Sequence, residues 1–583
     1  MPDAPQSPVM RGLDATATAA VGAATQRALT EGWARRVWDR DAALWSPDAD
    51  VQATIGQRLG WLDLPLDFSD RIAELVGLAD GLRAEGCRQA LVCGMGGSSL
   101  APWVIARVWP AAPDGIAVAV LDSTDPSAVR AATADGDPGT TLYVIASKSG
   151  TTVESASFEA YFWELETERY GRFPRDAAGE HFAIITDPGH SLDQFPHREA
   201  YRTVLLNPPD VGGRYSALTY VGLAPAALQG VVLDPMLDEA LAMAEACRLP
   251  GADNPGVALG AALGALAHGG RDKITFVIEP AVAPFGAWVE QLIAESTGKQ
   301  GLGLVPIVDE PLGVPAAYTD DRVFVRLAPP GTKGDAAWRS TTEAALAALA
   351  AAGHPVIDVP MPGGLGAEFF RWEFATAVAG AVLGVNPFDE PNVTESKHNT
   401  ARLLDTYRRD GALPDAGRPL AMEGPLALFG DGVMKPETGA GAAQVLRQHL
   451  ARLGPHGYLA LQAFIAPTRD RDRALAAIRL RLRDATHRAT TVGYGPRFLH
   501  STGQLHKGGP PTGCFLQLTA DHADDVPIPG APESFGTLIE AQAAGDLGAL
   551  VAHQLPVLRI HLGADPDAGL EALADLVAAA VAA

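Results

Sequence analysis

Apolar residues change their spacing three times along the chain. Between residues 12 and 85 they recur every three or four positions, as in LTEGWARRVWDRDAALW and FSDRIAELVGLADGLRAEG, the period of helices with one face turned inward. This predicts a helical N-terminal arm over residues 1–85. From Gln89 the apolar positions gather into short runs, QALVC, IAVAVLD, TLYVIA, HFAIIT and YRTVLL, each followed by a turn and most then by a helical pattern. Unalternated runs of that length suit strands covered on both faces, so the repetition predicts a parallel α/β unit over 86–240. A second series combines the helical VALGAALGALAHGG, the strands KITFVIEP, RVFVRLAPP and HPVIDVPMP, and the helical EFFRWEFATAVAGAVLG. It predicts a second α/β unit over 250–400. Residues 401–440 are looser, with more glycine and proline. Beyond them GYLALQAFIAP, the helical RDRALAAIRLRLRDA, GCFLQLTADH and VLRIHLGA with its following helix predict a C-terminal α/β region over 420–583. The expected class is α/β throughout, without short-period repeats.

Size agrees with this division, since 583 residues exceed a single core and suggest roughly three or four domains. A hydrophobic fraction of 47% and a charged fraction of 20% are those of a soluble globular protein. Neither a basic segment followed by an apolar one at the N-terminus nor a run of about 18 apolar residues is present, which leads to the expectation of a cytoplasmic protein without membrane contact. Cys87, Cys93, Cys247 and Cys514 form no close pair and read as reduced thiols. A formal net charge of −24 speaks against a nucleic-acid partner, because such affinity rests on basic surface. An anionic ligand would have to be small and held by local positive groups.

Two loops offer such groups. Residues 147–152, SKSGTT, follow the apolar run TLYVIA, and in a parallel sheet that places them where loops meet helix N-termini. The hydroxyls of Ser147, Ser149, Thr151 and Thr152, the Lys148 ammonium and free backbone N–H groups suit a monophosphate. An N-capping turn with a solvated lysine would have the same composition. Residues 94–102, GMGGSSLAP, repeat the arrangement after ALVC, with Gly97 and Ser98 at the turn. A dinucleotide fingerprint fails because Ser99 stands where its third glycine belongs, and Asp122 is an ordinary strand-end acid. A Walker A loop fails because TGK in ESTGKQG continues with Gln300. Two anion-friendly loops without a nucleotide fingerprint point to a phosphorylated small metabolite.

Four further stretches complete the pattern: VGGRYSALTYVG (211–222), WVEQLIAESTGKQG (288–301), NPFDEPNVTESK (386–397) and LHSTGQLHKGG (499–509). Together with the two loops, the chain from about residue 85 onward resembles glucose-6-phosphate isomerases of the sugar-isomerase-domain type, in particular the isomerase portion of transaldolase/isomerase fusion proteins. The resemblance implies two sugar-isomerase domains and reversible isomerisation of D-glucose 6-phosphate and D-fructose 6-phosphate through a cis-enediol, with no metal or organic cofactor. Fewer than 95 residues precede GMGGSS, whereas a (β/α)₈ barrel needs roughly 250, so a single activity is expected. A small-molecule sugar phosphate is the implied partner, and the chain is expected to be a monomer or homodimer.

By the same resemblance Glu295 matches the proton-shuttling glutamate and Lys397 the lysine that assists at the ring oxygen. Arg214, after two glycines, offers a permanent cation to a developing enediolate. Outside the resemblance, Glu295 would read as a helical acid paired with Lys299 at i+4, and Arg214 and Lys397 as ordinary surface cations. The family's ring-opening histidine lies between the glutamate and lysine motifs, where this chain has only His354, in a loop leading into a strand. His506, in the HSTGQLHKGG segment read as a loop, is the expected replacement, with His500 second. An isomerase of mannose 6-phosphate or of an amino-sugar phosphate is the alternative. A phosphosugar-binding regulator would not need Glu295, Arg214 and Lys397.

Overall fold

A computed structural model describes residues 6–170, 176–329, 336–415, 417–437 and 439–582. Three sheets organise the chain. In the first, the strand order is Ala117–Leu121, Gln89–Cys93, Thr141–Ala146, Phe182–Thr186, Thr203–Leu206, all parallel. The chain starts at Gln89–Cys93, steps to one side, then crosses back to Thr141–Ala146, so its direction of winding reverses between those two neighbours. Their carboxyl ends are in register, Cys93 opposite Ile145, and loops leaving such a reversal point form the crevice in which open parallel sheets bind ligands. GMGGSS and SKSGTT are those two loops.

The second sheet runs Val9–Arg11, Val356–Pro360, Arg322–Ala328, Lys273–Ile278, Val305–Ile307. Its first strand is antiparallel, with Val9 opposite Asp358, so the N-terminal arm is not wholly helical: it donates an edge strand to a sheet more than 250 residues downstream. The third sheet runs Ala421–Glu423, Leu426–Gly430, Val557–His561, Gly513–Thr519, Tyr458–Phe464, Ala489–Tyr494, parallel except for the two strands nearest its Ala421 edge.

One apolar core joins the arm to the first two sheets, with Trp33, Trp61 and Leu64 packed among Tyr215, Phe370, Trp372 and Phe374. Burial of several indole and phenyl rings at about 25 cal/mol per Å² makes the arm part of the core and not an appendage. A separate core fills the C-terminal sheet around Leu459, Leu516, Ile560 and Leu573. A third carries Phe535 and Leu538 onto Phe158 and Leu121, fastening the C-terminal region to the first sheet.

Two expectations are corrected here. Residues 401–410 are not loose, because the helix Pro391–Asp410 continues through them to an αL cap at Gly411. HSTGQLHKGG is not a loop but a 3₁₀ turn, Arg497–His500, followed by the helix Gly503–Gly508. The cysteines are free thiols, and no helix among the described residues is long and apolar enough to cross a membrane.

Candidate active site

Glycine lets three sequence-distant loops meet at the crevice. A side chain on Gly97 would overlap the Gly213 carbonyl, and one on Gly96, whose φ is +52°, would strike the His500 carbonyl. GMGGSS, GGRY and the Arg497–His500 turn therefore interlock backbone to backbone. Ser98, on the same loop, is half-buried and its hydroxyl makes no hydrogen bond to another described residue.

The SKSGTT loop opens the helix Val153–Tyr170. Ser147 Oγ lies 3.2 Å from Thr152 Oγ1, and Ser149 Oγ is 2.9 Å from Thr151 Oγ1, so four hydroxyls gather at one helix start. The Lys148 ammonium is engaged otherwise: it donates to Asp187 and, at 3.2 Å, to the Pro209 carbonyl. Sequence reading grouped it with the hydroxyls because chain adjacency says nothing about where a four-carbon stem turns.

Glu295 and Arg214 form a buried pair. Arg214 Nη1 donates to Glu295 Oε1 at 3.1 Å and to Glu390 Oε2 at 3.0 Å, Nε donates to Ser296 Oγ at 2.7 Å, and Nη2 donates to the Pro387 and Asp389 carbonyls. Five acceptors fix the guanidinium plane, the use to which arginine is suited and lysine is not. Burial pushes the Glu295 carboxyl above its usual range despite the pull of Arg214, whereas for Glu390 partial burial is outweighed by Arg214 and its carboxyl is held down. Lys299 does not pair with Glu295 at i+4. It sits 2.8 Å from Asp389 and donates to the Asn386 carbonyl at 2.5 Å, and burial with Arg214 nearby lowers its ammonium to about 8.

A cavity of 370 Å³ is lined by Thr151, Thr152, Glu154, Lys397, His500 and Gln542 among others. That volume suits a small metabolite. Lys397, on the helix Pro391–Asp410, makes no ion pair among the described residues. His500 Nε2 is 2.8 Å from Glu154 Oε1, which also accepts from Gln542 Nε2 at 2.7 Å. Burial raises Glu154, but the charge and hydrogen bond of His500 more than offset it and keep the carboxyl ionised. An ionised acceptor requires Nε2 to carry the proton in this contact. Gln291 Nε2 joins the two groups, donating to Glu295 Oε2 at 3.0 Å and to the His500 carbonyl at 2.8 Å.

His506 lies elsewhere. Its Nδ1 is 3.2 Å from Gln462 Nε2, its ring packs among Tyr458, Phe498 and Phe515, and burial, with Lys507 next in effect, keeps the imidazole neutral. Lys507 is itself consumed by Asp546 at 2.7 Å. His354 packs against Tyr318 and Phe324. Of the two histidines in the 499–509 stretch, His500 lines the cavity and His506 is core. Sequence reading missed Glu154, Gln291 and Glu390. Glu154 stood two residues beyond SKSGTT, and Gln291 one helical turn before Glu295, so helical periodicity could have flagged both.

A profile of the family described as phosphoglucose isomerase matches residues 58–301. The glucose-6-phosphate isomerase of Rubrobacter xylanophilus is 29% identical over 401 residues, covering 60% of this chain and 91% of that protein. That of Heliobacterium modesticaldum is 30% identical over 394 residues, covering 59% of this chain and 87% of that protein. A crystal structure of a hypothetical protein from Thermus thermophilus superposes with a TM-score of 0.55 at 26% identity, covering 68% of this chain and 99% of that one.

Proposed function

The chain belongs to the glucose-6-phosphate isomerase family, and on that premise we propose that it interconverts D-glucose 6-phosphate and D-fructose 6-phosphate through a cis-enediol, with Glu295 as the proton shuttle. The carrying observation is the buried Arg214–Glu295 pair, one glutamine away from the cavity that His500 and Lys397 line.

The phosphate goes to the hydroxyls and backbone N–H groups of SKSGTT, with Ser98 on the adjacent loop. Ring opening transfers one proton off the C1 hydroxyl and one onto the ring oxygen, breaking the C1–O bond to that oxygen and leaving a carbonyl at C1. His500 and Lys397 are the pair placed for these transfers. Glu295 then takes the proton from C2, and the electron pair moves through C1 onto the carbonyl oxygen to give the enediolate. Moving the hydroxyl proton from O2 to O1 shifts the negative charge to O2, and returning the proton to C1 then leaves the carbonyl at C2, the ketose. Two of the carboxylate's lone-pair sites are held by Arg214 and Gln291, so others remain for carbon acid chemistry. Arg214 fixes the base and supplies positive charge where the enediolate forms, in a site already desolvated.

Purified protein given fructose 6-phosphate and coupled to glucose-6-phosphate dehydrogenase should generate NADPH, undiminished by EDTA. No signal, or turnover of mannose 6-phosphate alone, would overturn the assignment. Because burial lifts Glu295 above the ordinary 4.5, the acidic limb of kcat/KM should fall at a pH above that value, as protonation removes the base. A limb at or below it would mean that another carboxylate does the work.

Ser149→Ala combined with Thr151→Ala should raise the inhibition constant of inorganic phosphate about tenfold or more, each lost hydrogen bond to a charged group being worth about 1.5–3 kcal/mol. Some fall in kcat is also expected, since binding at a remote group supports the reacting centre. An unchanged constant would remove the phosphate from this loop.

A further inference from the structure

A second, larger cleft of 850 Å³ opens behind the active site. Edge strands of all three sheets deliver their carboxyl ends to it: Leu121 from the first, Val308 just past the second's Val305–Ile307, and Tyr494 from the third. That is where parallel sheets place ligands, and here three coincide. Its size lies within the range of metabolite sites.

Five arginines line the cleft; Arg473 is spent on Asp470 and Arg479 on the Val308 and Thr490 carbonyls, which leaves three. Arg107 lies 4.0 Å over the Trp103 ring and Arg497 5.6 Å from the same ring. Arg469 starts the 18-residue helix Arg469–Thr486, whose N-cap, Thr468, also lines the cleft. Arg107 and Arg469 make no ion pair among the described residues. Arg497 gives Nε and Nη2 to Asp122 at 2.7 Å each, which leaves Nη1. Partial desolvation first, then the like charges of Arg497 and Arg469, lower Arg107 against the opposing pull of Asp122 and Asp472. Arg107 and Arg469 are exposed side chains of the cleft lining and so are open to a ligand, on a chain whose net charge is −24. Five acids line the cleft beside them: Asp122 is committed to Arg497, burial raises Asp309 and, beside it, lifts Glu290 to about 8, so that Glu290 is largely neutral at pH 7, while Asp135 and Asp472, the latter also accepting from the Tyr494 hydroxyl at 2.7 Å, stand opposite the arginines.

We propose that this cleft is a regulatory site for a small metabolite carrying two or more phosphate charges, held across Arg107, Arg469 and Arg497. Its link to the active site is structural, and it rests on the functional reading above. The turn Arg497–His500 has Arg497 in this cleft and His500 in the catalytic cavity. The helix Phe285–Thr297 has Glu290 here and Gln291 and Glu295 on the other side. A ligand drawing Arg497 away from Asp122 would shift the turn that positions His500, and differential affinity for two positions of that turn is what a regulator requires.

Calorimetry on the full chain saturated with fructose 6-phosphate, so that the SKSGTT loop is filled, should show one equivalent of inorganic pyrophosphate binding. Arg107→Gln with Arg469→Gln should weaken it at least about tenfold while leaving turnover without pyrophosphate unchanged. Pyrophosphate should alter kcat in the unsubstituted chain and not in this variant. Parallel titration with ADP separates a free diphosphate from a nucleoside diphosphate; arginine-dependent binding of either sustains the site. No binding once the active site is filled, or equal affinity in the variant, would overturn it. Binding with unaltered kcat would overturn the regulatory link alone. Since calorimetry needs no turnover, a chain inactive on fructose 6-phosphate would refute the function and leave this test standing.

Discussion

Glu295→Gln should cut kcat at least about 10²-fold, the usual cost of losing a general base, while fructose 6-phosphate still binds. The amide keeps the volume of the carboxyl and can accept from either Arg214 or Gln291, so the pocket persists. What disappears is the proton-accepting charge. The substitution also leaves the buried Arg214 cation with Glu390 as its remaining carboxylate partner. A modest loss of thermal stability should therefore accompany the catalytic loss, since breaking a buried pair costs more than breaking an exposed one. Two measurements separate these effects: substrate binding by calorimetry, expected near normal, and exchange of solvent deuterium into C2, expected to fall in step with kcat. Turnover within a few-fold of the unsubstituted enzyme would show that the carboxylate is structural.

The two histidines of HSTGQLHKGG should separate cleanly. His500→Ala removes the imidazole from the cavity and should slow turnover of the cyclic substrate by roughly 10²- to 10⁴-fold. Deuterium exchange on the small open-chain fraction should survive, because enolisation by Glu295 needs no ring opening. His506→Ala should instead empty space between three aromatic rings and cost stability, about 2 kcal/mol or more, read as a lowered denaturation midpoint. Activity per folded molecule should be nearly intact. The reverse result, a stable inactive His506→Ala and an active His500→Ala, would return the ring-opening role to His506. Either way a chain ending near residue 440 should be inactive, since His500 and Gln542 both come from beyond it.

Much of the molecule was legible before any coordinates. The apolar runs marked the strands of the first sheet, most plainly the three central ones, which are covered on both faces and so read as short continuous hydrophobic segments. Glycine-rich loops after two of them marked the crevice. Arg214 and Glu295 were singled out by motif, through the family resemblance, and the structure brings them together as a buried pair. The donation of Val9–Arg11 to the second sheet was not legible. A three-residue strand carries almost no periodic signal, and its partner is Asp358 and its neighbours, at the far end of the arm and both intervening units.

What the sequence determined by itself was the set of elements and the chemistry that the loops between them can hold, since both depend on residues close in the chain. Which histidine lines the cavity was a tertiary decision. His500 ends a 3₁₀ turn and His506 lies in a separate short helix, so their relative direction follows from how that helix packs on Tyr458 and Phe515, not from their six-residue spacing. The same holds for Lys148, whose ammonium is captured by Asp187, 39 residues on, and for the three arginines behind the active site, which come from residues 107, 469 and 497. Charges so far apart in the chain acquire a common field only after the sheets have packed, because salt screens exposed charges beyond about 10 Å and chain separation sets no such distance.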